Sequence, residues 1–166
     1  MALRQQLIAR SPAEVWRVLA DARRLGPCLT GRAADPAAGG VWPEPGAVLS
    51  YGARRGRRRE PLRATVRHAQ EPRTLDLEIS GSRLGRFRVT LDLRPWGPDT
   101  LLVLAANPLD EARAPGRDAA LATVLRLRHR AVLARLARAA EEPGQAGSAQ
   151  AAPAVSPRDF VPTRPY

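Results

Sequence analysis

A run of short alternating segments between residues 47 and 106, separated by turn signals rich in Gly and Pro, constrains the fold more than any other feature of the chain. Successive side chains of a strand point to opposite faces, so a segment alternating apolar with polar residues is a strand with one face buried. Residues 74–80 alternate most cleanly, with Leu75, Leu77 and Ile79 opposing Asp76 and Glu78. Residues 86–93 set Phe87, Val89, Leu91 and Leu93 against Arg88, Thr90 and Asp92, and residues 62–69 set Leu62, Ala64 and Val66 against Arg63, Thr65 and Arg67. Residues 47–53 place Leu49 and Tyr51 on one side, while residues 100–106 are apolar on both faces and read as a strand that is central or covered twice. Four or five such strands with turns between them predict an antiparallel meander, apolar on one face and wet on the other.

Helices flank this meander. Ser11-Pro12-Ala13-Glu14 supplies a capping serine, a proline at the first helical position and a glutamate three residues after the cap. Val15, Val18, Leu19 and Ala22 follow at helical spacing, and Gly26-Pro27 is expected to end that helix. Residues 2–10 before it read as a first strand. Residues 31–46 are rich in Gly, Pro and Ala, with Trp42 the one large apolar side chain available to pin them down. A long final helix is predicted over residues 116–142. Its apolar face gathers Leu121, Val124, Leu125, Leu127, Ala131, Val132 and Leu136, with Arg128 and Arg135 inside the same arc.

A chain of 166 residues, 44% hydrophobic and 26% charged, has room for one domain with a proper core. That domain is expected to span residues 1–142. Residues 143–166 lose all apolar period and read as a disordered Pro/Ala-rich tail. The longest apolar run covers only residues 101–106, far short of the roughly 18 residues that cross a bilayer, and the amino terminus lacks the apolar block of a signal peptide. Membrane insertion is not expected, and the expected location is cytoplasmic. One cysteine, Cys28, makes no internal disulfide, and no Cys/His spacing suits a metal; no cofactor is expected.

All 27 basic residues are arginine, against 16 acidic residues, for a net charge of +11. The absence of lysine together with abundant Ala, Gly and Pro points to the coding bias of a GC-rich genome. Arg54, Arg55, Arg57, Arg58 and Arg59 cluster around Gly56 between two predicted strands, and so on a hairpin tip. Such a turn would attract polyanions through sequence-independent electrostatics. With seven aromatic residues in all and no helix-turn-helix or RNP pattern, no specific nucleic acid is expected as a partner.

The order of strand, capped helix, meander and long carboxy-terminal helix is the plan of an α+β helix-grip fold. Ile8, Ser11-Pro12-Ala13-Glu14-Val15-Trp16, Leu19-Ala20-Asp21 and Trp42-Pro43-Glu44-Pro45-Gly46 resemble the bacterial SRPBCC family, also called START-like or Bet v 1-like and often labelled polyketide cyclase/dehydrase. Glu71-Pro72-Arg73-Thr74-Leu75, Asp99-Thr100, Leu125-Arg126-Leu127-Arg128 and Leu133-Ala134-Arg135-Leu136 match its later landmarks, and the resemblance covers residues 1–142. It implies a curved antiparallel sheet wrapped around the final helix, with an internal cavity for a hydrophobic small molecule. Members carry lipids, bind hormones or cyclise aromatic polyketide chains, so a reaction does not follow from the fold.

The expected lining of that cavity is Tyr51, Leu75, Leu77, Phe87, Val89, Leu91, Leu121 and Leu125, with Arg128 as a polar residue that pairs with a ligand carboxylate, with a protein acceptor, or with solvent at the rim. His129 and His68 would supply acid/base chemistry only if both reached the cavity; scattered histidines without an acidic partner are more often ordinary surface or packing residues. Cys28, with no histidine near it in sequence, reads as a buried thiol rather than a nucleophile. The leading reading is binding of a lipid, acyl or aromatic polyketide-like molecule. The alternatives are a polyketide cyclase or dehydratase, and polyanion binding through the arginine turn.

Overall fold

The computed structural model describes residues 2–31, 37–55, 58–82, 85–109 and 117–142. Its elements follow in the order β1 (Ala2–Ile8), α1 (Pro12–Leu19), α2 (Ala22–Thr30), β2 (Ala37–Gly39), β3 (Val48–Arg55), β4 (Arg58–Gln70), β5 (Thr74–Ser82), β6 (Gly85–Trp96), β7 (Asp99–Pro108) and α3 (Arg117–Glu141). The strands form one curved antiparallel sheet in the order β1-β7-β6-β5-β4-β3-β2. The meander is therefore as predicted, and β1 joins it beside β7.

Register places the apolar residues of the central strands on a common face. Arg4, Leu104, Leu91, Leu75 and Ala69 stand abreast across β1, β7, β6, β5 and β4, and Ala2, Ala106, Val89, Leu77 and Val66 form the neighbouring row. A β-bulge between Val66 and His68 shifts the alternation of β4, so that Ala69 packs against the core while His68 is exposed. The opposite face carries the charge. There Arg67 donates twice to Glu78 at 2.9 and 2.6 Å, Arg86 reaches Glu78 at 3.4 Å, and Arg88 reaches Asp76 at 2.8 Å. Four of the arginines behind the high net charge, Arg94 with Asp92 included, thus sit in exposed ion pairs along the wet side of the sheet. Pairs this exposed contribute about 0–1 kcal/mol each.

The amino-terminal helices differ from expectation. Ser11 and Glu14 close the capping box of α1, with Ser11 N donating to Glu14 Oε2 at 3.0 Å and Glu14 N to Ser11 Oγ at 3.4 Å. The helix stops at Leu19, however, and a second begins at once because Asp21 Oδ1 accepts from Arg23 N at 2.9 Å and from Arg24 N at 3.3 Å. Gly26-Pro27 lies inside α2 rather than ending it; termination falls to Gly31, whose φ of 77° suits a left-handed cap and whose N–H donates to Pro27 O at 2.7 Å. Pro27 removes one backbone donor, while Leu25, Cys28 and Leu29 are buried around it. The short β2, absent from the sequence reading, pairs with β3. Trp42 does pin its segment down, donating from Nε1 to Leu19 O at 2.9 Å.

Helix α3 packs against β1, β7, α1 and α2. Its carboxy-terminal carbonyls are taken by arginines of the amino-terminal segment: Arg10 Nη2 donates to Glu141 O at 3.0 Å and Arg24 Nη2 to Ala139 O. Ala9 N also donates to Glu141 Oε1 at 3.1 Å. These bonds satisfy the orphan end of the helix with cations, which its dipole favours.

Candidate functional site

Six of the residues assigned to the cavity lining, Tyr51, Leu75, Leu77, Phe87, Val89 and Leu91, are buried and belong to a single apolar cluster on the inner face of the sheet. Leu121 and Leu125 fall on α3, with side chains outside the described residues. Tyr51 has a particular neighbour: its ring lies against Gly26 of α2, and its hydroxyl donates to Ala22 O at 3.4 Å. Burial pushes its phenol far above the usual range.

Helical spacing sets Arg128 on the inward arc of the last helix, but in the structure Arg128 is exposed. The inward stripe runs His129, Val132, Leu133, Leu136, Ala137 and Ala140. Leu133, Ala137 and Ala140, outside the arc that the sequence suggests, are buried and turn the inward stripe by about one position. Arg135 is half-buried and donates from Nη1 to Cys28 O at 3.2 Å, so it bridges α3 to the end of α2. The buried polar side chain of the stripe is His129, 6% exposed, whose Nδ1 has no hydrogen-bond partner among the described residues. Burial, with Arg128 and Arg4 nearby, lowers its pKa below the ordinary histidine value and keeps the imidazole neutral at neutral pH. His68 is exposed on β4, so the two histidines do not meet.

A groove of about 300 Å³ opens between α2 and α3, lined by Arg24, Cys28, Arg135, Arg138 and Glu142 among others. Cys28 is buried, donates from Sγ to Arg24 O at 3.3 Å, and has its thiol pushed up to about 11 by burial in spite of the arginines beside it. It is a packed thiol, not an activated nucleophile. Among the described residues no three His, Cys, Asp or Glu side chains converge as a metal site would require. No described helix is long and apolar enough to cross a membrane. The side chains of Arg54, Arg55, Arg58 and Arg59 and the whole of Arg57 lie outside the described residues; the backbone pairs Arg54 with Arg59 and Arg55 with Arg58, which sets the cluster at the β3–β4 connection.

A curved antiparallel sheet whose apolar face is covered by a long carboxy-terminal helix, with two short helices between the first two strands, is the helix-grip architecture. The chain belongs to the SRPBCC-type family described as polyketide cyclase/dehydrase and lipid transport, whose family model matches residues 4–141. Among solved structures it is similar to CalU16 from Micromonospora echinospora, with 16% identity, a TM-score of 0.61, and coverage of 84% of this chain and 75% of that one. It is likewise similar to Ara h 8.0201, at 13% identity and a TM-score of 0.65 over 84% of this chain and 95% of that one. A third, MLL2253 from Mesorhizobium loti, shares 17% identity and a TM-score of 0.63 over 83% and 94%. These likenesses establish the fold. No curated protein matches the sequence.

Proposed function

We propose that this chain binds a hydrophobic small molecule, lipid-like, acyl or aromatic, in a cavity between the inner face of the sheet and α3. The observation that carries the reading is the continuity of that inner face. Adjacent rows across four strands, with Leu104, Leu91, Leu75 and Ala69 in one and Ala106, Val89, Leu77 and Val66 in the other, present hydrocarbon, with no carboxylate among the buried residues described. The family description supports it, since polyketides and lipids are both hydrophobic small molecules. The polar groups on the inner side favour a binder over a cyclase. Among the described residues Thr100 Oγ1 is committed to Arg10 O at 2.7 Å and the Tyr51 hydroxyl to Ala22 O, which leaves buried His129 without a carboxylate beside it to complete an acid/base pair.

The test uses Leu91, fully buried at the centre of its row. Leu91→Trp fills the space and is expected to weaken binding of methylnaphthalene at least tenfold while circular dichroism and cooperative unfolding persist. Val89→Phe, at a position slightly more open, is expected to act in the same direction with less strain. Unchanged affinity in either folded variant contradicts the proposal.

A further inference from the structure

We propose that His129 is the polar anchor of this cavity, its Nδ1 hydrogen-bonding the hydroxyl of a ligand that is otherwise hydrophobic. The inference rests on the cavity reading above and adds the chemical class of the ligand: an alcohol or phenol rather than a plain hydrocarbon.

Three observations converge on it. The first is the orphan atom. Among the described residues His129 Nδ1 is the one buried side-chain nitrogen or oxygen without a partner, although the residue is only 6% exposed on a stripe that otherwise carries only apolar residues. Native interiors satisfy nearly all such atoms, because leaving one unpaired costs far more than the same volume of hydrocarbon. A leucine here would continue the stripe of Val132, Leu133 and Leu136 without that cost.

The second is location. Ala9 and Arg10 are tied to Glu141, so β1 and α3 share one end. Roughly 17 Å of strand separates Ala9 from Arg4. Roughly 18 Å of helix separates Glu141 from His129. His129 therefore stands abreast of the row Arg4, Leu104, Leu91 and Leu75, which contains two of the expected lining residues. The third is charge. Arg4 on β1 and Arg128 on α3 are the charged groups felt by the imidazole, and both are cationic. Their potential favours an electron-rich oxygen at Nδ1 and disfavours an amine cation. A hydroxyl both donates and accepts, so it serves either tautomer of a neutral imidazole.

The test compares naphthol with methylnaphthalene, which differ by hydroxyl against methyl on one ring system, by calorimetry on the full chain and on His129→Leu. The expected result is that His129→Leu lowers the preference for naphthol over methylnaphthalene about tenfold, one hydrogen bond's worth. Methylnaphthalene affinity should change less than twofold and the melting temperature should rise. His129→Gln, which keeps a polar group at the position, should restore part of the preference. An unchanged preference in folded His129→Leu overturns the inference, as does a fall in its melting temperature, which would mean that the imidazole is a satisfied structural group. Failure of wild type to bind either compound would instead count against the cavity itself.

Discussion

Replacing Gly26 with alanine is expected to destabilise the domain by about 3 kcal/mol, towards the upper end of what overpacking a well-filled core costs. A Cβ at Gly26 would stand 2.4 Å from Tyr51 Cε1 and 3.1 Å from Cδ1, distances at which one group must move. The ring cannot swing aside readily, because it is fully buried and its hydroxyl is held by Ala22 O. Helix propensity alone predicts the opposite sign, a gain of about 1 kcal/mol for alanine over glycine within a helix. The two effects separate in a double-mutant cycle. Urea denaturation should show a large loss for Gly26→Ala in the wild-type background and a loss near zero, or a small gain, once Tyr51→Leu has removed the ring. Equal losses in both backgrounds would show that contact with Tyr51 is not what demands glycine.

Leu136→Ala should cost about 2–5 kcal/mol, the range for emptying a fully buried leucine site. Leu136 is 1% exposed in the middle of the inward stripe of α3, the element that closes the inner face of the sheet. Leu3→Ala is the matched control. That leucine is 55% exposed on β1, and its truncation should change stability by less than about 0.5 kcal/mol. Comparable losses from the two substitutions would mean that α3 does not hold the sheet as its burial pattern implies.

The meander was legible because alternation is a local signal: each of β4, β5 and β6 announces its buried face within a few residues, and register then brings those faces together. The capping box of α1 was legible for the same reason. What failed depended on distant groups. Gly26-Pro27 resembles a helix stop until Tyr51, from a strand well along the chain, is seen to occupy the space where a Cβ would stand. Asp21 is a usable cap signal, hidden in the sequence because the apolar period of Val18 and Leu19 continues to Ala22 across it. On α3 the composition is so rich in Ala, Leu and Arg that several arcs fit nearly as well. Only packing against β1 and α2 selects the one that buries His129 and exposes Arg128. The partners of Arg67, Arg86, Arg88 and Arg94 were not legible, because Glu78, Asp76 and Asp92 meet them only once the strands pair on the same wet face.

The location of the ligand can be read by following backbone amide shifts of the isotopically labelled full chain during titration with naphthol. Hydrophobic binding between sheet and helix predicts saturable shifts at Leu75, Leu77, Val89, Leu91 and His129, with little change around Cys28 and Arg138 in the groove between α2 and α3. Shifts confined to that groove, or to the connection between β3 and β4, would place binding on the surface and contradict the cavity.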